Sequence, residues 1–296
     1  MAQADFTRIA TNIGALNALN SLRNVNSQLG IHQQRLATGK RINSAADDPA
    51  GLTIATKLNT RAEGLKQALA NIGDAKSLLS VAESGLSRTN DILLQMRNKA
   101  QAAASDTLGS DERAAIVEQL NQFATQIDDT VDQTLWNGNK LIDGTYNASS
   151  LTFQTGAACG DTTTLSGLTN MKASHTELGL GTSSNGVFSV QVSGSNLNSA
   201  SSAANFGAFM DTINKAMDKV SAQLSKVGAM TGRLTFKEDQ IAVAQVNVES
   251  SYNRIMNADM AFEQLEATKW SILQQTSTTM LAQANAAPQG VLSLFR

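Results

Sequence analysis

The stretch from Leu58 to Ala103 constrains this chain more than any other. Leu58, Ala62, Leu65, Leu69, Ile72, Ala75, Leu79, Ala82, Leu86, Thr89, Leu93, Met96, Ala100 and Ala103 follow one another in steps of three or four. Side chains at that spacing stack on one face of an α-helix, so the run predicts a single amphipathic helix. At 1.5 Å per residue such a helix is roughly 70 Å long, against about 11–12 residues for an average globular helix. An apolar seam of that length needs another long helix to cover it. Only two prolines, Pro49 and Pro288, interrupt the 296 residues, so long partners are available. Aromatic residues make up 4% of the chain, and the small side chains that replace them suit closely approaching helices.

A second stripe runs along residues 5–36. Phe6, Ile9, Ile13 and Leu16 begin it, and Leu22, Val25, Leu29 and Leu36 resume it after a phase slip near Leu19. Its other face carries Asn12, Asn17, Asn20, Asn24, Asn26, Gln28 and Gln33. A solvated helix face favours Lys and Glu in salt-bridge spacing. Uncharged amides instead suit a face that meets protein or lines a wet channel. His32 has no second ligand nearby and reads as a packing or surface imidazole rather than a metal ligand.

The connecting run RLATGKRINSAADDPAG spans Arg35 to Gly51. Gly39 is a helix stop, and Asp48 before Pro49 forms an N-cap with proline at the first helical position. Capping explains Asp47 and Asp48 with fewer assumptions than a metal site. Past the long helix, Ser110 is expected as a cap with Glu112 in the first turn. Ile116, Leu120, Phe123, Ile127 and Val131 then carry a shorter helix to about Leu135. Asn137-Gly138 is a turn signal, since both residues tolerate positive φ.

Between Gly144 and Asn205 the charges are confined to Asp161, Lys172 and Glu177, and Ser, Thr, Gly and Asn abound. The hydroxyls offer acceptors for O-linked sugars. Leu151–Gln154 and Val187–Val192 alternate as strands do, and a hairpin-and-loop cap or one rudimentary outer lobe is expected here. Helical periodicity returns through Phe206, Phe209, Ile213, Ala216, Val220, Leu224 and Val227. A heptad-like seam follows at Ile241, Ala244, Val248, Ile255, Ala258, Phe262 and Leu265. A small break is expected at Asn257–Asp259. Beyond it, Trp270, Leu273, Ser277, Met280, Ala284 and Ala287 continue in shifted phase, on a helix that should pair antiparallel with the N-terminal one.

Several classes are disfavoured. A net charge of −2 lacks the basic face of a nucleic-acid binder. The single cysteine, Cys159, cannot form an internal disulfide and reads as a spare thiol in a loop. No run reaches the 18 or more apolar residues of a membrane span. The start, MAQADFTRIATNIG, has neither the basic nor the apolar region of a secretory signal, so any export is expected by another route. There is no nucleophile–base arrangement, no phosphate-cradling loop and no metal-ligand cluster, and neither His32 nor His175 belongs to an H-E-x-x-H motif. The expectation is a non-enzyme with no cofactor.

The run from Arg35 to Gly51 closely resembles the signature of bacterial flagellins, and the end QANAAPQGVLSLFR, Gln283 to Arg296, resembles their C-terminal signature. Trp136-Asn137-Gly138 is similar to their F-N-G segment with Trp in place of Phe, and Leu151–Ala157 resembles a hairpin of their core. Similarity extends through residues 1–155 and 206–296.

The resemblance implies a mainly α fold: a long antiparallel coiled-coil bundle built from discontinuous N- and C-terminal halves, with a small β-hairpin and loop insert. Residues 1–43 with 256–296 would form an inner terminal helical domain, residues 44–180 with 206–255 a coiled-coil core, and residues 181–205 a short variable surface segment. Phe6, Ile9, Ile13, Leu16, Leu22, Val25, Leu29, Trp270, Leu273, Met280, Leu292, Leu294 and Phe295 would carry inner-helix assembly. Arg35, Asn43, Asp47, Asp48, Pro49 and Gly51 would form the connecting spoke. The implied role is a self-assembling subunit of the extracellular flagellar filament used for swimming, exported by the flagellar type III pathway without a cleaved signal peptide. Its partners would be copies of itself, an export chaperone, and filament cap and junction proteins, with no nucleic acid and no membrane. The rivals are a hook–filament junction protein of the same fold and, from another class, a coiled-coil signalling module.

Flagellins also share a patch recognised by a Toll-like receptor. Arg97 matches that patch, but Gln95 stands where the stimulatory pattern has a basic residue, and Asn98 and Gln119 where it has acids. The lost charge-assisted pairs imply weak recognition. Each terminal segment is long and thin and buries little apolar surface for the backbone it must order, so the ends are expected to become helical only among neighbouring copies.

Overall fold

The computed structural model describes residues 12–293 apart from 176, 185–186, 193–194 and 198–202. Five long helices dominate the described residues. α1 (Ile13–Thr38) starts where the Asn12 side chain accepts the Ala15 N–H at 2.9 Å, and stops at Gly39, whose φ of 68° is left-handed. α2 (Pro49–Ala103) is the expected long helix, nine residues longer at its N-terminal end than the seam alone implied. Proline opens it because the first turn has no use for that N–H, and Asp48 Oδ1 accepts the Gly51 N–H at 2.8 Å. Gly51 has no room for a side chain, since a Cβ there would lie 2.8 Å from Ile42 Cδ1.

α3 (Ser110–Gln133) corrects one expectation. Its N-cap is Gly109, extended and without a side-chain cap, and Ser110 is already helical, with Asp111 and Glu112 in the first turn. The acids complement the exposed N–H groups there, so no hydroxyl cap is needed. β1 (Leu135–Trp136) and β2 (Asn139–Lys140) then form a hairpin on Asn137 (φ 49°) and Gly138 (φ 81°). After the short α4 (Thr145–Ala148), β3 (Leu151–Gln154) pairs antiparallel with β4 (Thr162–Leu165), Leu151 opposite Leu165. β5 (Gly181–Ser184), β6 (Val187–Val192) and β7 (Ser195–Asn196) make a three-stranded antiparallel sheet with β6 central. α5 (Ala203–Met256) and α6 (Met260–Ser293) flank the break at residues 257–259.

The described residues fall into two compact units, one from Met1–Ala62 with Val246–Arg296, the other from Glu63–Gln245. From sequence the divisions are expected at 43/44 and 255/256. The division between the two compact units falls inside α2 and α5, and Ile42, Leu52, Ala55, Tyr252, Ile255 and Met256 cluster around the connecting segment.

The core of the Glu63–Gln245 unit is the seam read from sequence. From Ile72 to Ala103 its residues on α2 are almost wholly buried, and Val117, Leu120, Ala124, Ile127 and Val131 of α3 and Phe206, Phe209, Ile213, Ala216 and Val220 of α5 face inward with them. Leu224, expected on the seam, is only half-buried. Gln223 takes the inner position, with its amide donating to Thr169 Oγ1 at 2.9 Å. Lys76 Nζ bonds Glu238 between α2 and α5 at 2.8 Å. The insert forms a cap rather than a separate lobe. Asp128 accepts the Ala173 N–H at 2.7 Å, Asn121 Oδ1 accepts the Val190 N–H at 3.0 Å, and Asp132 holds both Lys140 and Lys172. Leu168, Met171, Leu178 and Leu180 are buried beneath it.

Candidate assembly surfaces

In the unit formed by the chain's two ends, α1 and α6 pack antiparallel. Asn12 Nδ2 donates to the Ala284 carbonyl at 2.7 Å, Gln274 Nε2 to Asn26 Oδ1 at 2.8 Å, and His32 Nδ1 to Glu263 Oε2 at 2.5 Å. Arg35 Nη1 reaches the other oxygen of Glu263 at 3.4 Å. Along this pair few side chains are buried: Val25, Leu29 and His32 on α1, Glu263 and Ala267 on α6.

Residues expected to carry assembly divide accordingly. Val25 and Leu29 face α6, and Leu22 and Trp270 are half-buried. Ile13, Leu16 and Met280 stand 52–58% exposed, with Leu273 at 38%. Phe6, Ile9, Leu294 and Phe295 lie outside the described residues, as does the side chain of Leu292. Phe262 and Leu265 correct the heptad seam. They are 57% and 62% exposed, because the helix breaks at 257–259 and α6 turns Glu263 and Ala267 inward instead. With Ile272 and Met280 they leave an apolar stripe along α6 that none of the described residues covers.

The connecting spoke is ordered by hydrogen bonds around the buried side chain of Ile42. Asp47 Oδ2 accepts the N–H groups of Ser44 at 2.9 Å and Asn43 at 3.0 Å, and these hold its carboxyl below the ordinary range. Asn43 Nδ2 donates to the Lys40 carbonyl at 3.0 Å. The Arg41 N–H donates to the Met256 carbonyl at 2.6 Å, and the Ala258 N–H to the Gly39 carbonyl at 3.0 Å. Asp47 and Asp48 therefore both act on backbone N–H groups, while Arg35 points to Glu263 and not into the turn.

Gln95, Asn98 and Gln119 are exposed on α2 and α3, and Arg97 is half-buried with its Nε unpaired. Gln95 and Asn98 line a cavity of about 480 Å³ with Arg88, Asp91, Leu94 and Gln126. Phe236, on α5, is 79% exposed beside a second cavity of about 470 Å³ lined by the β3–β4 hairpin, Arg233 and Lys237. Among the described residues no three His, Cys, Asp or Glu side chains are placed to hold a metal ion, and no helix is long and apolar enough to cross a membrane.

The sequence left His32 as either a packing or a surface imidazole and did not point to its partner; the structure buries it against Glu263. Glu263 sits four and seven residues before Ala267 and Trp270, on the inward face, and that spacing was the available signal.

Two family descriptions match the chain: the bacterial flagellin N-terminal helical region over residues 9–147 and the bacterial flagellin C-terminal helical region over residues 210–295. The chain is similar to the flagellin of Bacillus subtilis, 34% identical over 98% of this chain and 100% of the relative. It is also similar to the flagellin of Listeria monocytogenes, 32% identical over 97% and 99%. The flagellar filament 33 kDa core protein of Treponema phagedenis is 30% identical over 96% and 98%. Among solved structures, a putative flagellar hook-associated protein from Vibrio parahaemolyticus shares the fold, at a TM-score of 0.56 and 17% identity over 71% of this chain and 100% of that one.

Proposed function

This chain belongs to the bacterial flagellin family, and from that premise we propose how it works as a subunit of the flagellar filament. It is a structural protein that assembles with copies of itself. The observation that carries the mechanism is the uncovered apolar stripe of Phe262, Leu265, Ile272 and Met280 on α6, together with Ile13 and Leu16 on α1. A two-helix layer cannot close these faces by itself, and copies packed side by side can. Contacts between unlike faces that do not close into a ring propagate as a helical tube. The amide-rich side of α1 lines its central channel. Leu22, Val25, Leu29, Trp270 and Leu273 hold the inner layer together, and the spoke from Arg35 to Gly51 joins it to the coiled-coil core. The subunit is exported by the flagellar type III pathway, kept from early polymerisation by an export chaperone, and assembled outside the cell between junction and cap proteins.

Gln95, Asn98 and Gln119 present neutral amides beside Arg97 on the surface matched to the Toll-like receptor patch, so receptor activation is weak. The flagellin relatives over nearly the full length favour the filament over the junction role.

The test is a triple substitution, Leu265→Ser, Ile272→Ser and Met280→Ser, in the full chain. Elongation from sheared filament seeds is followed by light scattering and pelleting. The variant is expected to stay in the supernatant at concentrations where the parent polymerises. Polymerisation equal to the parent's would overturn the mechanism.

A further inference from the structure

Glu263 is 4% exposed, in the most deeply buried part of a helix pair whose other described side chains are mostly wet. A buried carboxylate is tolerated only when paired and hydrogen-bonded. Here both oxygens are engaged, Oε2 by His32 Nδ1 at 2.5 Å and Oε1 by Arg35 Nη1 at 3.4 Å. His32 is itself 9% exposed.

The remainder of the seam says little about alignment. On α1, Leu22, Leu29 and Leu36 repeat every seven residues, so a slip by a heptad exchanges one leucine for another. The cross-helix ties at Asn26–Gln274 and Asn12–Ala284 use amides, and amides recur along both helices, so a slipped pair finds substitutes. The backbone bonds of Arg41 to Met256 and of Ala258 to Gly39 hold the non-helical connection, not the helices beyond it. Glu263 is different. Sliding α6 by three or seven residues toward the start of α1 sets its carboxylate against Leu29, where Arg35 is lost, or against Val25, where both partners are lost. Pairing α6 with the α6 of another copy buries two carboxylates and supplies neither His32 nor Arg35.

We infer that Glu263, held by His32 and Arg35, is the residue that selects α1 as the partner of α6 and fixes the axial register of the pair. The inference rests on the filament reading, because that pairing matters where many copies expose the same apolar helices at once. The node gives up some stability relative to an apolar seam and in return disfavours the heptad slip toward Val25 and the pairing of α6 with another α6.

Register is read by disulfide trapping in full-length protein carrying Cys159→Ser. Asn26→Cys with Gln274→Cys reports the native alignment. Asn26→Cys with Ala267→Cys, or with Leu281→Cys, reports a heptad slip, and Gln274→Cys alone reports pairing between copies. With Glu263 intact, native cross-linking is expected in seeded filaments, with slipped and inter-chain products at background. Glu263→Leu is expected to raise the slipped or inter-chain products at least about fivefold, and Glu263→Gln, which retains acceptor and shape, to raise them less. Native cross-linking alone in Glu263→Leu filaments overturns the inference. If Glu263→Leu fails to polymerise, the same reporters are read in the triple variant His32→Leu, Arg35→Leu, Glu263→Leu. Failure of that variant too, while Glu263→Gln polymerises, shows that the node stabilises rather than selects and also overturns the inference. A parent chain that does not elongate seeds counts against the filament mechanism instead.

Discussion

Along α2 the seam from Ile72 to Ala103 is closed almost completely, with Leu79, Leu86, Leu93 and Met96 at or near zero exposure. Along α6 side chains of comparable size, Phe262, Leu265, Ile272 and Met280, stand 57–62% exposed, and the position turned inward holds a glutamate. Both helices are amphipathic. They differ in what the chain can supply to cover them. α2 meets α3, α5 and the buried side of the insert, which together wrap its apolar face, whereas among the described residues α6 packs along α1 alone. Apolar periodicity states that a face is to be covered, and the number of layers within reach decides whether the covering comes from the same copy or another one.

The contrast breaks most sharply at Phe209. Phe209 is fully buried, and Phe209→Ala should cost about 3–5 kcal/mol of monomer stability in urea unfolding. Ile272→Ala, at an exposed position, should leave that stability within about 0.5 kcal/mol while raising the critical concentration for polymerisation. Equal effects of the two on the monomer would erase the distinction.

Gly85 sharpens the picture inside the well-packed unit. A Cβ there would lie 2.7 Å from Thr134 Cγ2, where α2 runs against the end of α3. Gly85→Ala should therefore cost about 1–3 kcal/mol despite its better helix propensity, with Thr134→Ala as the relieving second substitution. In the other unit the comparable local test is Asp48→Ala, which removes the acceptor for the Gly51 N–H and should cost about 1 kcal/mol. Hydrogen exchange of the first turn of α2 reads that loss directly.

The smallest effect belongs to the cation pair on Asp132. Burial pushes its carboxyl up, but hydrogen bonds from Lys140 and Lys172 and their charges outweigh burial and hold it below its ordinary value. A folded value below the unfolded one gives stability that is present above about pH 4 and lost as pH falls through the folded value. Lys140 is held above its ordinary value by its hydrogen bond to Asp132, so its share is lost only as pH rises through that raised value. Asp132→Asn should flatten the acid limb of a melting-temperature profile slightly, since the pair is open to solvent.

Much of the fold was legible in the sequence for local reasons. Gly39, Asp48, Pro49 and Asn137-Gly138 act within a few residues of themselves, and the α2 seam is long enough that its periodicity leaves one solution. The α3 cap was displaced by one residue because Asp111 and Glu112 already complement the helix start, a fact the hydroxyl of Ser110 obscured. The inward face of α6 was misjudged for a different reason. Phe262 and Leu265 continue the seam of α5 in phase only if the helix is unbroken, and the break at 257–259 rotates that phase. Glu263 was passed over because a carboxylate on a seam makes sense only once His32 and Arg35, more than two hundred residues away, are brought beside it.

By itself the sequence determined the long helices, the stop at Gly39, the start at Asp48-Pro49 and the shortage of covering surface at the two ends, since each follows from local spacing and from the apolar content of a stretch. Only the tertiary structure decided which face of α6 is turned inward, that a glutamine holds an inner position on α5, and that the insert is a cap bound to α3. Those outcomes depend on pairings between distant residues, whose energies no single stretch of chain contains.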